Sequence, residues 1–97
     1  MGQLLIIVAQ IKAKKECAAL VETELLKLVE PTRKEEGCLQ YDLHQDNQSP
    51  ELFLIYEKWE TKELWLKHRV NDHMARFRKA IECAVDDFVV NEMTVFP

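Results

Sequence analysis

Hydrophobic residues along this chain follow two periods, and the places where the period changes divide it into six segments. Leu4 to Ile11 is apolar at odd and even positions alike, so a strand there would bury both faces, as central strands do. From Lys14 to Glu36 the positions Cys17, Leu20, Val21, Leu25, Leu28 and Val29 recur at three- and four-residue steps, which predicts an amphipathic helix. Pro31 falls near its end, where it removes a backbone hydrogen bond, and Gly37 stands where a helix C-cap belongs. Cys38 to Gln45 then alternates, with Leu39, Tyr41 and Leu43 set against Gln40, Asp42 and His44, which predicts a strand with one buried face.

The turn formers Asp46 to Pro50 close a hairpin onto Glu51 to Glu60. In that strand Phe53, Ile55, Glu57 and Trp59 share one face, and Leu52, Leu54, Tyr56 and Lys58 the other. Thr61 is placed to cap a helix carrying Leu64, Trp65 and His68, and Asn71-Asp72 predicts a break with a second cap. Beyond it, His73 to Val85 sets Met74, Phe77, Ile81 and Val85 on one stripe, and Phe88 to Phe96 reads as the last strand.

The order βαββαβ is the ferredoxin-like arrangement, an α+β fold with both helices on one face of a four-stranded antiparallel sheet. Such a sheet leaves its other face bare. Because the first, third and fourth strands carry apolar side chains on both faces, that face is expected to be covered by a second copy, making a homodimer through the open sheet face, a dimeric α+β barrel.

Composition narrows this picture. With 97 residues the chain is expected to form one domain, 1–97, and a core of that size gains from a partner subunit. The net charge of −4 removes the main attraction for a phosphate backbone, so nucleic acid is not an expected partner. Arg76, Arg78 and Lys79, set among acids, read as a solvated helix face. Three cysteines without a Cys-x-x-Cys pair suit a reducing compartment. The apolar run Leu4 to Ala9 lacks a basic leader and is too short for a membrane span, and Ile6 stands where a myristoylation signal needs Ser or Thr. The expectation is a cytoplasmic protein away from membranes.

Gly2 and Gly37, the only glycines, cannot make a nucleotide-binding loop, so no dinucleotide or nucleoside triphosphate cofactor is expected. His44, His68 and His73 lack zinc spacing, and His68 and His73, five apart, would occupy different faces of one continuous helix. No metal is expected. What remains is a concentration of aromatic and ionisable residues between Tyr41 and Phe77. Glu57 lies between Ile55 and Trp59 on one strand face. If that face meets the helices, burial raises its pKa toward the range of a general base or acid, although a buried glutamate satisfied by an arginine or a backbone donor fits equally well. His68 follows Leu64 by one turn and points to the sheet, where Trp59 could meet it, while His73 opens the next helix. Each alone suits packing or capping; together in one pocket they suit proton transfer. Trp59, Trp65, Tyr41, Phe53 and Phe77 offer flat walls to an aromatic substrate, and ordinary core packing would use them too.

The run Glu36-Gly37-Cys38-x-x-Tyr41, then Phe53-x-x-x-Glu57-x-Trp59, then His68 and His73 across a polar break, resembles the antibiotic-biosynthesis-monooxygenase family, in particular its quinol-monooxygenase type, from Leu4 to Phe96. The resemblance implies a homodimeric oxygenase that oxidises a quinol or anthrone-like aromatic with O2 and without metal or flavin. It implies His68, Glu57 and His73 as the catalytic candidates, with Trp59, Tyr41, Phe77, Phe53 and Leu64 around the substrate. Relatives that isomerise or degrade a small signalling sugar phosphate share these motifs, and a non-catalytic dimeric module binding a small molecule is a third reading. Haem-degrading relatives use an Asn in the first strand, which this chain lacks.

Overall fold

The computed structural model describes residues 4–97, which form β1 (Leu5–Ala13), a short 3-10 turn (Lys15–Cys17), α1 (Ala18–Arg33), β2 (Cys38–Gln45), β3 (Leu52–Trp59), α2 (Lys62–Arg69), α3 (Asp72–Ala80) and β4 (Val85–Met93). The sheet order is β2-β3-β1-β4, antiparallel throughout, so the two most apolar strands are central as their two-sided pattern predicts. This is the ferredoxin-like α+β fold expected from the element order, with the second helical segment split in two. Among the described residues no helix is long and apolar enough to cross a membrane.

Register decides which side chains meet the helices. Ile7 pairs with Glu57, Ala9 with Ile55 and Ile11 with Phe53, so these alternate positions lie on one face, which α1 covers with the stripe Val21, Leu25, Leu28 and Thr32. The opposite face carries Val8, Leu54, Tyr56, Val89 and Met93, of which Val89 and Met93 are exposed. On β4 the helix-side residues Phe88 and Val90 are also exposed, because the helical layer does not extend over that edge strand.

Several boundaries differ from those the periodicity predicts. The first helix is shorter at both ends, since Lys14 is extended and the 3-10 turn precedes α1. Pro31 occupies the last turn of α1, where only its bond to the Lys27 carbonyl is forgone. Gly37 is not the helix C-cap. It lies in the turn before β2 with φ +86°, and a Cβ there would stand 2.8 Å from Cβ of Leu64, so both backbone sign and space call for glycine. A bulge between Cys38 and Gln40 turns Leu39 outward to 50% exposure, against the alternation that would bury it.

The helical stripe expected through Val85 ends sooner. Buried Ile81 and Ala84 continue its spacing through a turn in which the Ala84 amide donates to the Ile81 carbonyl, and Val85 already belongs to β4. The last strand begins and ends three residues before its expected bounds. Its register is set by β1, from Ala13 opposite Val85 to Ile6 opposite Met93, and the ladder stops where β1 stops. Val95 and Phe96 are therefore exposed.

Candidate active site

Four of the sequence-derived site residues, Tyr41, Glu57, His68 and Phe77, border one cleft of about 650 Å³ between the sheet and the helices. Each arrives there by a local rule. Tyr41 and Glu57 are cross-strand partners on the helix side of β2 and β3. His68 is carried by α2, whose start is fixed by the Thr61 hydroxyl accepting from the Leu64 amide at 3.2 Å. Phe77 is carried by α3, whose N-cap Asn71 accepts from the Met74 amide at 3.0 Å. Ile7, Trp65 and Met74 complete the apolar walls, and Phe88 and Val90 of β4 border the open side.

Glu57 is 4% exposed, and its Oε1 accepts a hydrogen bond from Trp59 Nε1 at 2.8 Å. Burial pushes its carboxyl up to about 7, with the Trp59 bond pulling down and the negative charge of Glu35 adding to the rise. Burial and the Glu57 charge raise the Tyr41 phenol as well, against a hydrogen bond to Thr32, so Tyr41 stays a neutral phenol. The same two causes, burial first, push the Cys38 thiol up to about 11.

His68 is 2% exposed and lies against the Trp59 indole, with ring centroids 4.9 Å apart. Its Nδ1 is 2.7 Å from Oε2 of Glu35, and His73 Nε2 is 3.0 Å from the same oxygen. An ionised carboxylate can only accept, so it fixes the proton of His68 on Nδ1 and leaves Nε2 as an acceptor on the side away from Glu35. Desolvation lowers the pKa of His68, opposed by the bond and charge of Glu35 and reinforced by His73 and Arg78. A neutral imidazole results.

The break expected at Asn71-Asp72 is present, so His68 and His73 do not lie on the different faces that one continuous helix would give them. Two short helices meet there at an angle of their own, so both rings reach one carboxylate and stand 6.1 Å apart. His73 does not border the cleft; it backs His68 through Glu35. Trp59, fully buried, supports Glu57 and His68 from behind without facing the cleft. Leu64 packs with Ile7, Trp59 and Trp65 beside the cleft, and Phe53 borders a separate hollow with His44 and Gln45.

Glu35 carries no signal in the sequence. It is one charge among Lys34, Glu35 and Glu36 in a turn, held in place because Arg33 donates to the Tyr41 carbonyl at 3.0 Å and to Asp42 at 3.1 Å. Arg78 is exposed, as expected of a solvated face, and it also borders the cleft, its guanidinium donating to the Arg69 carbonyl. Arg69 in turn lies over the Trp65 ring at 5.1 Å. Together Glu35, His68 and His73 put one carboxylate oxygen and two imidazole nitrogens within 4.8 Å of one another, a donor set that could hold a metal ion.

Comparison with known proteins places this geometry. The family model described as antibiotic biosynthesis monooxygenase matches residues 4–80. A Mycobacterium tuberculosis protein whose name places it provisionally among the monooxygenases is 25% identical over 75 residues, 77% of this chain and 73% of that protein. A crystal structure from Pseudomonas aeruginosa superposes with a TM-score of 0.95 at 34% identity, covering 100% of this chain and 98% of the other. A crystal structure named as an antibiotic biosynthesis monooxygenase gives 0.90 at 32% identity, covering 96% and 99%. With the match to its model spanning most of its length and its fold shared throughout, the chain belongs to the antibiotic biosynthesis monooxygenase family.

Proposed function

We propose that the protein is a cofactor-independent monooxygenase that oxidises a small aromatic quinol or anthrone-like compound with O2. The observation that carries this reading is the pair Glu57 and His68, two buried proton acceptors bordering one cleft whose walls include Ile7, Trp65 and Phe77. A substrate of this class needs little more. Loss of a proton gives an electron-rich carbanion or phenolate, which passes electrons to O2 and combines with it as a hydroperoxide. Loss of water from that hydroperoxide leaves one oxygen atom in the product carbonyl and the other in water. Glu57, with a pKa near 7, can take and return a proton at neutral pH. His68 Nε2 is the alternative acceptor, oriented through Glu35 with His73 behind it. Tyr41 and Phe77 contact the ring of the substrate, and Trp59 holds Glu57 and His68 in position.

The whole chain acts as one domain in a cytoplasmic homodimer. The partner copy covers the sheet face that lacks a helical layer, where Val8, Leu54, Tyr56, Val89 and Met93 offer apolar contacts among polar neighbours such as Gln10 and Asn91.

Two guanidiniums at the cleft, Arg69 and Arg78, favour a second reading, the isomerisation of a small sugar phosphate with His68 as proton shuttle. Glu82, Asp86 and Asp87 border the same opening and oppose an anion there, so the aromatic substrate is preferred. O2 uptake with a panel of quinols and anthrones separates the readings. Oxidation consumes O2 and weakens at least about 100-fold in His68→Ala or Glu57→Gln. Isomerisation consumes none, and a passive binding module turns nothing over.

A further inference from the structure

We infer that Glu35, His68 and His73 form a binding site for one divalent transition-metal ion of the Zn2+, Co2+ or Ni2+ kind, and that the ion, when bound, reverses the tautomer of His68. The donor set is one carboxylate oxygen and two imidazole nitrogens from three separate places: the turn after α1, the last turn of α2 and the first turn of α3. Two imidazoles select a borderline transition metal over Mg2+ or Ca2+, which prefer oxygen alone.

The distances suit capture. Ligand atoms around a tetrahedral ion with bonds of about 2.0–2.1 Å stand roughly 3.3 Å apart. Here Glu35 Oε2 lies 2.7 Å from His68 Nδ1 and 3.0 Å from His73 Nε2, so these two pairs need spread by only a few tenths of an ångström, while the two imidazole nitrogens, within 4.8 Å of each other, adjust their separation by ring rotation as the ion binds. The frame is set beforehand by the Thr61 and Asn71 caps and by Arg33 bonded to β2. The Trp59 ring against His68 limits its rotation. The side chains of Glu35 and His73 are 18% and 20% exposed, which leaves a route for the ion and room for a water as fourth ligand. The Thr32 hydroxyl and the Asn71 amide each lie 3.4 Å from the same His73 Nε2, so they hold that nitrogen at the site when it is empty and give way when an ion takes its lone pair.

Binding moves the proton of a neutral His68 ring without a net release from it. A metal on Nδ1 of His68 takes the place of the proton held there for Glu35, and the neutral ring then carries its proton on Nε2. The nitrogen on the far side from Glu35 becomes a donor. If the oxidation proposed above uses His68 as a base, a bound ion stops it; this consequence rests on that reading, whereas the site itself does not.

The test is titration of the purified full-length protein with Zn2+ by calorimetry and with Co2+ by visible absorption at neutral pH. One ion per chain is expected at a dissociation constant of about 10 µM or tighter, weakened at least about 10-fold in Glu35→Gln and in His73→Ala. Cys83→Ser, which removes an exposed thiol, leaves it unchanged. Circular dichroism of each variant establishes that it is folded. Nitrogen-15 imidazole NMR is expected to move the His68 proton from Nδ1 to Nε2 when Zn2+ is added. Affinity that survives both variants, affinity lost in Cys83→Ser, or a His68 tautomer indifferent to Zn2+ overturns the inference. A chain that binds the ion in this way yet consumes no O2 with any quinol keeps the site and loses the oxidation.

Discussion

The indole of Trp59 donates to Oε1 of Glu57 at 2.8 Å, and with the tryptophan fully buried and the glutamate 4% exposed this bond is the main force holding the carboxyl pKa down against its burial. Trp59→Phe removes the donor and keeps most of the ring. Its pH–rate profile for quinol oxidation should move to higher pH, with a loss of stability of about 1–3 kcal/mol for the unpaired buried group. A profile that stays in place would mean that Glu57 is not the titrating base.

Glu57 also makes stability depend on pH in a direction opposite to an ordinary carboxylate. Its folded pKa is raised from 4.5 to about 7, so its stabilising contribution is full below about 4.5 and is lost as pH rises through about 7. The loss has a ceiling of roughly 3 kcal/mol. His68, whose folded pKa is lowered, behaves in the reverse sense, its contribution being present above the ordinary value of 6.5 and lost as pH falls. Urea melts of wild type and Glu57→Gln should therefore converge at acid pH and part above neutrality, the variant being the more stable. Curves that run parallel contradict the burial of a charge there.

Glu35→Gln replaces an obligatory acceptor by a group that can also donate. The proton of His68 is then no longer confined to Nδ1, and kcat for quinol oxidation should fall about 10-fold or more with little change in KM. A change confined to KM would place Glu35 in substrate binding instead.

Gly37→Ala meets two obstacles at once, a positive φ and the Leu64 side chain. The expected cost is about 1–3 kcal/mol in thermal or chemical unfolding. Leu64→Ala in the same chain should recover part of it by opening the space, and no recovery would attribute the whole cost to the backbone.

Val89 is exposed on the sheet face without helices, opposite Gln10 of β1. Val89→Glu should lower the mass seen in analytical ultracentrifugation from two chains toward one while the far-ultraviolet spectrum is kept. A variant that sediments as wild type moves the interface elsewhere.

The sheet and its helices were legible because they rest on local repetition: two-sided apolar runs make central strands, and the caps Thr61 and Asn71 announce helix starts through their own side chains. Misplaced boundaries share a cause. The Ile81 and Ala84 spacing continues a helical stripe that the backbone has already left, and Leu39 breaks its alternation because of a bulge, which no side-chain period records.

Which residues would stand together could be read only in part. The period of β3 set Glu57 beside Trp59, and the helical turn from Leu64 brought His68 to the sheet. The sequence by itself determined the fold class and that Glu57 shares one strand face with Ile55 and Trp59, since both follow from short-range periodicity, while the packing of the helices decided that this face is the buried one. Only the tertiary structure decided that Glu35, 33 residues before His68 and 38 before His73, joins their two rings. Likewise it alone placed Trp59 behind the cleft wall. Such meetings depend on the angles between elements and on long-range register, and a linear order of side chains carries neither.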